Sequence, residues 1–198
     1  MRVPVAFAVA LAFLAASVGY AVGSRDTAPG RGSVDVGFLY DMIGHHEQAI
    51  TLSKLELVKG SEGRVKSFAE EILYYQGYEI GLMTQQLRSW GHRRDEPPER
   101  AMAWMGHGVP REDMPGMASQ AELDALYQAQ GRDVDARFLA LMIDHHAGGV
   151  HMAEEALRRA TSSFVRDFAD RTVRQQRTEI REMELARDRL GLPAAPPG

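Results

Sequence analysis

Laid against itself, the chain repeats at a constant offset of one hundred residues, and this duplication limits the fold more than any other feature. Asp35, Phe38, Leu39, Met42, Ile43, His45 and His46 recur as Asp135, Phe138, Leu139, Met142, Ile143, His145 and His146. Downstream, Val65, Phe68, Ala69, Gln76, Glu79, Ile80, Met83 and Gly91 recur as Val165, Phe168, Ala169, Gln176, Glu179, Ile180, Met183 and Gly191. The copies span 35–91 and 135–191. Apolar residues in each fall at spacings of three and four without an intervening Pro, which predicts two helices per copy. Gly60 and Ser61 break the first copy, Thr161 and Ser162 the second. Gly91 and Gly191, the latter followed by Pro193, stop the second helix of each. A helical hairpin leaves one apolar stripe uncovered, so two hairpins bury their stripes against each other. The expected fold is an all-α four-helix bundle, roughly 35–40 Å long at about 1.5 Å per residue.

Between the copies, residues 92–134 form a crossover that opens on charged and Pro-rich sequence. Ser119 and Glu122 make a capping box ahead of Leu123, Leu126 and Tyr127, which predicts a short helix there. Residues 1–24 hold a charge-free run from Val3 to Gly23 behind Arg2, read as a signal peptide or a membrane anchor. Either reading makes the rest of the chain extracytoplasmic, with the membrane as a partner if the segment is not cleaved. Residues 25–33 read as a flexible tether and 192–198 as a disordered tail.

With 23 Lys and Arg against 27 Asp and Glu, and a net charge of −4, nothing suits the chain to a nucleic-acid backbone. The absence of Cys removes disulfides, thiolate nucleophiles, zinc ribbons and a lipoprotein anchor. His, Met, Asp and Glu remain for metal or acid–base chemistry. Imidazoles and carboxylates interrupt the inward stripes. In the first helix of each copy the stripe runs Phe38, Met42, His45, Ala49, Leu52 and Phe138, Met142, His145, Gly149, Met152, with His46 and His146 on the same arc. In the second it runs Val65, Phe68, Ile72, Gln76, Glu79, Met83 and Val165, Phe168, Thr172, Gln176, Glu179, Met183. A buried carboxylate needs a partner, an ion or a proton. Turns near 61 and 161 bring His45 and His46 level with Gln76 and Glu79, and His145 and His146 level with Gln176 and Glu179. The expected metal ligands are therefore His45, His46, His145, His146, Glu79, Glu179, Met42, Met142, Met83 and Met183, extended in the second copy by His151 and Met152. The same layer also reads as self-satisfied His–Glu pairs that only fix the register of the bundle. Asp41 and Asp144 lie near the His pairs and are assigned at most an orienting role. The crossover crowds Met102, Met105, Met114 and Met117 with His107 and Trp104, as soft ligands for Cu(I) or as an apolar flap.

These motifs resemble the bacterial domain-of-unknown-function 305 family, whose hallmark is M-I-x-H-H followed by Q-x-x-E-I-x-x-M. The chain has M-I-G-H-H at Met42 to His46, M-I-D-H-H at Met142 to His146, and the second motif at Gln76 to Met83 and Gln176 to Met183, with M-P-G-M at Met114 to Met117. The resemblance covers about residues 34–191 and implies a ferritin-like bundle, exported from the cytoplasm, some of whose members bind copper. It implies no established reaction. Leu52 stands where the family often has Met, and Gly149 where it has Ala.

Three functions follow as expectations. The first is an extracytoplasmic protein that binds a copper ion for buffering or tolerance, weakening below about pH 6 as imidazoles with a pKa near ~6.5 protonate. The second is a metal-free, membrane-tethered scaffold. The third, a di-metal redox enzyme, is disfavoured because each copy supplies one core Glu and no Glu-x-x-His pair. No feature names a protein partner.

Overall fold

The computed structural model describes residues 28–194; the apolar N-terminal run, with its expected helix, and residues 195–198 lie outside the described residues. The described chain forms helices α1 (Val34–Lys59), α2 (Gly63–Ser89), α3 (Gln120–Gln128), α4 (Arg132–Arg159) and α5 (Ser163–Leu190). Four long helices with turns at 60–62 and 160–162 are the two expected hairpins. The short α3 carries the expected capping box, in which Ser119 and Glu122 satisfy each other's backbone N–H groups. At the ends of α2 and α5, Gly91 (φ 80°) and Gly191 (φ 61°) take the left-handed conformation. His92 N–H and Leu192 N–H can then reach back to the carbonyls of Leu87 and Arg187.

Helices α1 and α4 run antiparallel at the centre, each with its hairpin partner beside it, while α2 and α5 barely meet. The repeat explains how the two halves lock. Asp35, in the first turn of α1, accepts hydrogen bonds from the Thr161 N–H, the Thr161 hydroxyl and the Ser162 N–H at the turn of the other hairpin. Asp135, in the first turn of α4, does the same for the Ser61 N–H, the Ser61 hydroxyl and the Glu62 N–H. Each copy therefore caps the turn of the other, satisfying helix-start N–H groups that would otherwise be orphaned. Burial alone would raise the Asp135 pKa, but the Ser61 hydroxyl and the Glu62 and Ser61 N–H groups hold it below the ordinary value.

Two apolar clusters fill the bundle ends. One gathers Phe38, Met42, Met83, Leu87, Met152 and Phe168 with Met102, Trp104 and Met114 of the crossover. The other gathers Leu52, Phe68, Leu126, Phe138, Met142 and Met183, and takes in Leu192, which the sequence reading left in the tail. Residues expected as tether are also held: the Pro29 carbonyl accepts from His92 Nε2 at 2.8 Å, and Ser33 caps α1.

The crossover is bound tightly to one side. Asp41, itself buried, accepts from Met102 N–H at 2.7 Å, Trp104 Nε1–H at 2.8 Å and Arg111. Burial raises the Asp41 pKa, and those three donors oppose the shift. A Cβ at Gly37 would sit 2.5 Å from Trp104, and one at Gly148 would strike the Pro115 carbonyl, so the helices must be bare where the loop lies on them. Gln48, which replaces that glycine on α1, clasps the loop through both Ala118 backbone groups at 2.9 and 2.7 Å. Among the described residues the only strand-like pairing is the Ala101–Val109 bridge within this loop.

Asp35→Ala and Asp135→Ala should each cost about 1 kcal/mol of stability in urea unfolding, since each leaves part-buried donors at a helix start unpaired. A loss below about 0.5 kcal/mol for either would show that these carboxylates do not join the halves.

Candidate metal centre

At mid-height a polar belt separates the two apolar clusters. His45 and His46 of α1, Gln76 and Glu79 of α2, His145 and His146 of α4, and Gln176 and Glu179 of α5 meet at this level. All four imidazoles are fully buried. His46 Nε2 lies 2.8 Å from Glu79 Oε2, and His146 Nε2 lies 2.7 Å from Glu179 Oε2. The two pairs are related by the repeat. Between them the His45 and His145 rings stack with centroids 3.7 Å apart and planes 31° apart. His145 Nε2 reaches the His45 carbonyl at 3.0 Å. His45 Nε2 instead reaches the Pro115 carbonyl at 3.1 Å, because the crossover occupies that side.

Every Nε2 thus faces a carbonyl or a carboxylate oxygen. A neutral imidazole there carries its proton on Nε2, which leaves the Nδ1 lone pair bare. The Nδ1 atoms of His45, His46, His145 and His146 are all buried and have no hydrogen-bond partner. The side-chain oxygens of Gln76 and Gln176 are likewise unpartnered. Burial, reinforced by the facing imidazoles, holds His45 neutral down to about pKa 3 and His145 well below the ordinary value. Protons therefore compete for these two rings only at much lower pH than the sequence-level figure of about 6.

The expected ligands divide. Met42, Met83 and Met152 are fully buried on one side of the belt, and Met142 and Met183 on the other, where Leu52 stands in the position equivalent to Met152. His151 is exposed and apart from the layer, as are Asp144 and His107. Met102 and Met114 are buried, with Met105 and Met117 partly so against the same cluster. Asp41 binds the crossover and has no bond to a belt imidazole. Among the described residues no three His, Asp or Glu side chains are grouped as a metal ion requires, so the belt is no preformed oxygen–nitrogen cage. Unpartnered imidazole nitrogens in a dry core whose two flanking clusters hold buried thioethers instead suit a soft cation that accepts few ligands, such as Cu(I) or Ag(I). Asp35, Asp135 and Gln48 carry structural work that sequence reasoning missed. The recurrence of Asp35 as Asp135 was its visible signal.

Residues 35–187 match the family model described as Domain of unknown function (DUF305). The chain belongs to the DUF305 family. A crystal structure of a DUF305 protein from Streptomyces coelicolor, named as a candidate secreted protein, is 32% identical, with a TM-score of 0.78 over 84% of this chain and 99% of that one. A DUF305 fragment from Deinococcus radiodurans is 32% identical, with a TM-score of 0.67 over 79% of this chain and 96% of that one. CopM in its Cu(I)-bound form is 26% identical, with a TM-score of 0.58 over 79% of this chain and 96% of that one. An Ag-bound form of CopM is 27% identical, with a TM-score of 0.57 over 78% of this chain and 96% of that one. No curated protein matches the chain. The DUF305 assignment agrees with the paired motifs and the helical bundle, and among the described residues no helix is long and apolar enough to cross a membrane.

The buried titratable groups set a pH profile for the metal-free protein. His45 and His145 have lowered pKa values when folded, so their contribution is present above about 6.5 and is lost as pH falls below it. Glu56 behaves oppositely: burial and the nearby Asp135 raise it to about 8, so its contribution is present below the ordinary 4.5 and fades as pH rises through 8. Stability should therefore peak near pH 6.5 and fall by about 1 kcal/mol per unit on the acid side, a net loss of one proton's linkage. Urea unfolding between pH 5 and 8.5 measures this, and Glu56→Gln should flatten the alkaline limb. A profile flat from pH 7 to 5 would contradict buried neutral imidazoles.

Proposed function

We propose that this DUF305 protein binds a soft metal cation, Cu(I) foremost, outside the cytoplasm, and so buffers or sequesters it. The observation that carries the reading is the set of four buried Nδ1 atoms without partners, at the level where the Met-rich ends of the bundle meet. A belt that served only to fix register would be expected to satisfy its polar atoms, since an unpaired buried acceptor costs about 1–3 kcal/mol. A cation that removes this cost on binding is a physical reason to retain it. His45, His46, His145 and His146 are the principal ligands in this proposal, with Met42, Met83, Met142, Met152 and Met183 favouring the reduced ion. Glu79 and Glu179 hold His46 and His146 in the tautomer that exposes Nδ1. The Cu(I) and Ag forms of CopM support the metal class, and the charge-free run at Val3 to Gly23 supports export.

The experiment is equilibrium dialysis against Cu(I) under reducing conditions, with elemental analysis of the wild type and of a variant with all four His changed to Asn. The wild type should hold metal and the variant should lose at least nine-tenths of it, while circular dichroism shows both helical. Equal metal content in the two folded proteins would leave the metal-free scaffold as the reading. Met42→Leu with Met83→Leu should weaken Cu(I) at least tenfold but change a harder divalent ion little.

A further inference from the structure

The two repeats leave the belt open to water at two places, and these are chemically unlike. The four imidazoles are fully buried, whereas the Glu79 and Glu179 side chains are 14% and 18% exposed. On the crossover side the way is shut: Pro115 and Gly116 press on α4 so closely that a Cβ at Gly116 would lie 2.5 Å from the Asp144 carbonyl. The two carboxylates are therefore the members of the belt that water reaches.

At the second of these mouths Glu179 has no oxygen to spare. Its Oε2 meets His146, and its Oε1 accepts from Gln175 Nε2 at 2.9 Å. Arg171 and Arg174 line the same surface hollow, and Arg174 is paired with Asp170 while Arg171 lies beside the Phe168 ring. At the first mouth Glu79 meets His46 through Oε2 only, and among the described residues nothing donates to its Oε1. The positions equivalent to Arg171, Arg174, Gln175 and Thr178 are Glu71, Tyr74, Tyr75 and Tyr78. The three tyrosines are 50–71% exposed, and α2 carries no Lys or Arg between Lys66 and Arg88. On α1 the adjoining Glu47 is paired with Arg94, so it adds no net charge.

Resting on the metal-binding reading above, we infer that the mouth at Glu79, bordered by Tyr75 and Tyr78, is the route by which a monovalent soft cation reaches and leaves the histidine belt, and that the arginine-flanked mouth at Glu179 is closed to it. The free carboxylate oxygen at Glu79 attracts the ion and exchanges its water. The tyrosine rings offer it π-faces without repulsion. Glu179 has its oxygens engaged and a cation beside it, which repels a second one.

A matched pair of substitutions tests the route. Tyr75→Arg places a cation one helical turn from Glu79, and Gln175→Arg places the same cation one turn from Glu179. The full chain is mixed with silver nitrate in nitrate buffer at low ionic strength. Loss of free Ag(I) is then followed by stopped flow with an ion indicator, and bound silver is measured after equilibrium dialysis. Tyr75→Arg should slow uptake about threefold or more, as one like charge at a one-turn spacing demands. Gln175→Arg should leave uptake within 1.5-fold of wild type, both variants should hold wild-type silver at equilibrium, and the contrast should vanish in about 1 M nitrate. If wild type binds no silver, the functional reading and the route fall together. If silver binds but Gln175→Arg slows uptake as much as Tyr75→Arg, or Tyr75→Arg does not slow it, the route alone is wrong. Reduced equilibrium silver in Tyr75→Arg also overturns it, because position 75 would then act on the site rather than on passage.

Discussion

Two uncharged imidazoles, His45 and His145, stacked where α1 crosses α4 are the constraint to which the rest of this bundle answers. An imidazolium there would face another ring at 3.7 Å in a medium that solvates charge poorly, so the rings stay neutral and stack. Neutral rings need acceptors, and each Nε2 has found one: two carboxylates from the outer helices and two backbone carbonyls. The chemical consequence is on the other nitrogen, where four Nδ1 atoms are left without partners in the dry interior.

Duplication with divergence then shapes the surroundings of that belt. Asp35 and Asp135 keep their identity because each caps the opposite hairpin's turn, and neither half closes without the other. Where the copies differ, the difference has a use. Asp41 binds the crossover through its carboxylate where the second copy has Leu141, and Gln48 clasps the loop whose Pro115 needs Gly148 opposite. The loop thereby brings Met102 and Met114 into one end of the core only. Glu56 belongs to the same asymmetry: it is buried at the base of α1 without partners for its oxygens, where the second copy has Ala156.

Much of this was legible in the residues. Strict three–four spacing, turn residues at 60–61 and 161–162, and glycines at 91 and 191 defined both hairpins, and simple height matching brought His46 to Glu79 and His146 to Glu179. The capping box at Ser119 was visible because its two partners are three residues apart. What was not legible depends on contacts distant in sequence. Height matching treats all residues at one level as neighbours, so it grouped four His and two Glu in one belt, whereas the structure resolves them into two His–Glu pairs and a stacked His45–His145 pair. Helical position alone set His151 beside Met152 on an inward stripe, yet the next 100° of rotation carries it into solvent. The roles of Asp41, Gln48 and Gly148 depend on a loop of irregular backbone, for which periodicity says nothing.

The most direct test of this account is the ring nitrogen-15 spectrum of the metal-free protein with labelled histidine, read between pH 7 and pH 5. His45 and His145 should show an unprotonated Nδ1 and a protonated Nε2 throughout, and added Ag(I) should shift Nδ1 rather than Nε2. Protonated Nδ1 atoms at pH 7, or rings that titrate near 6.5, would contradict it.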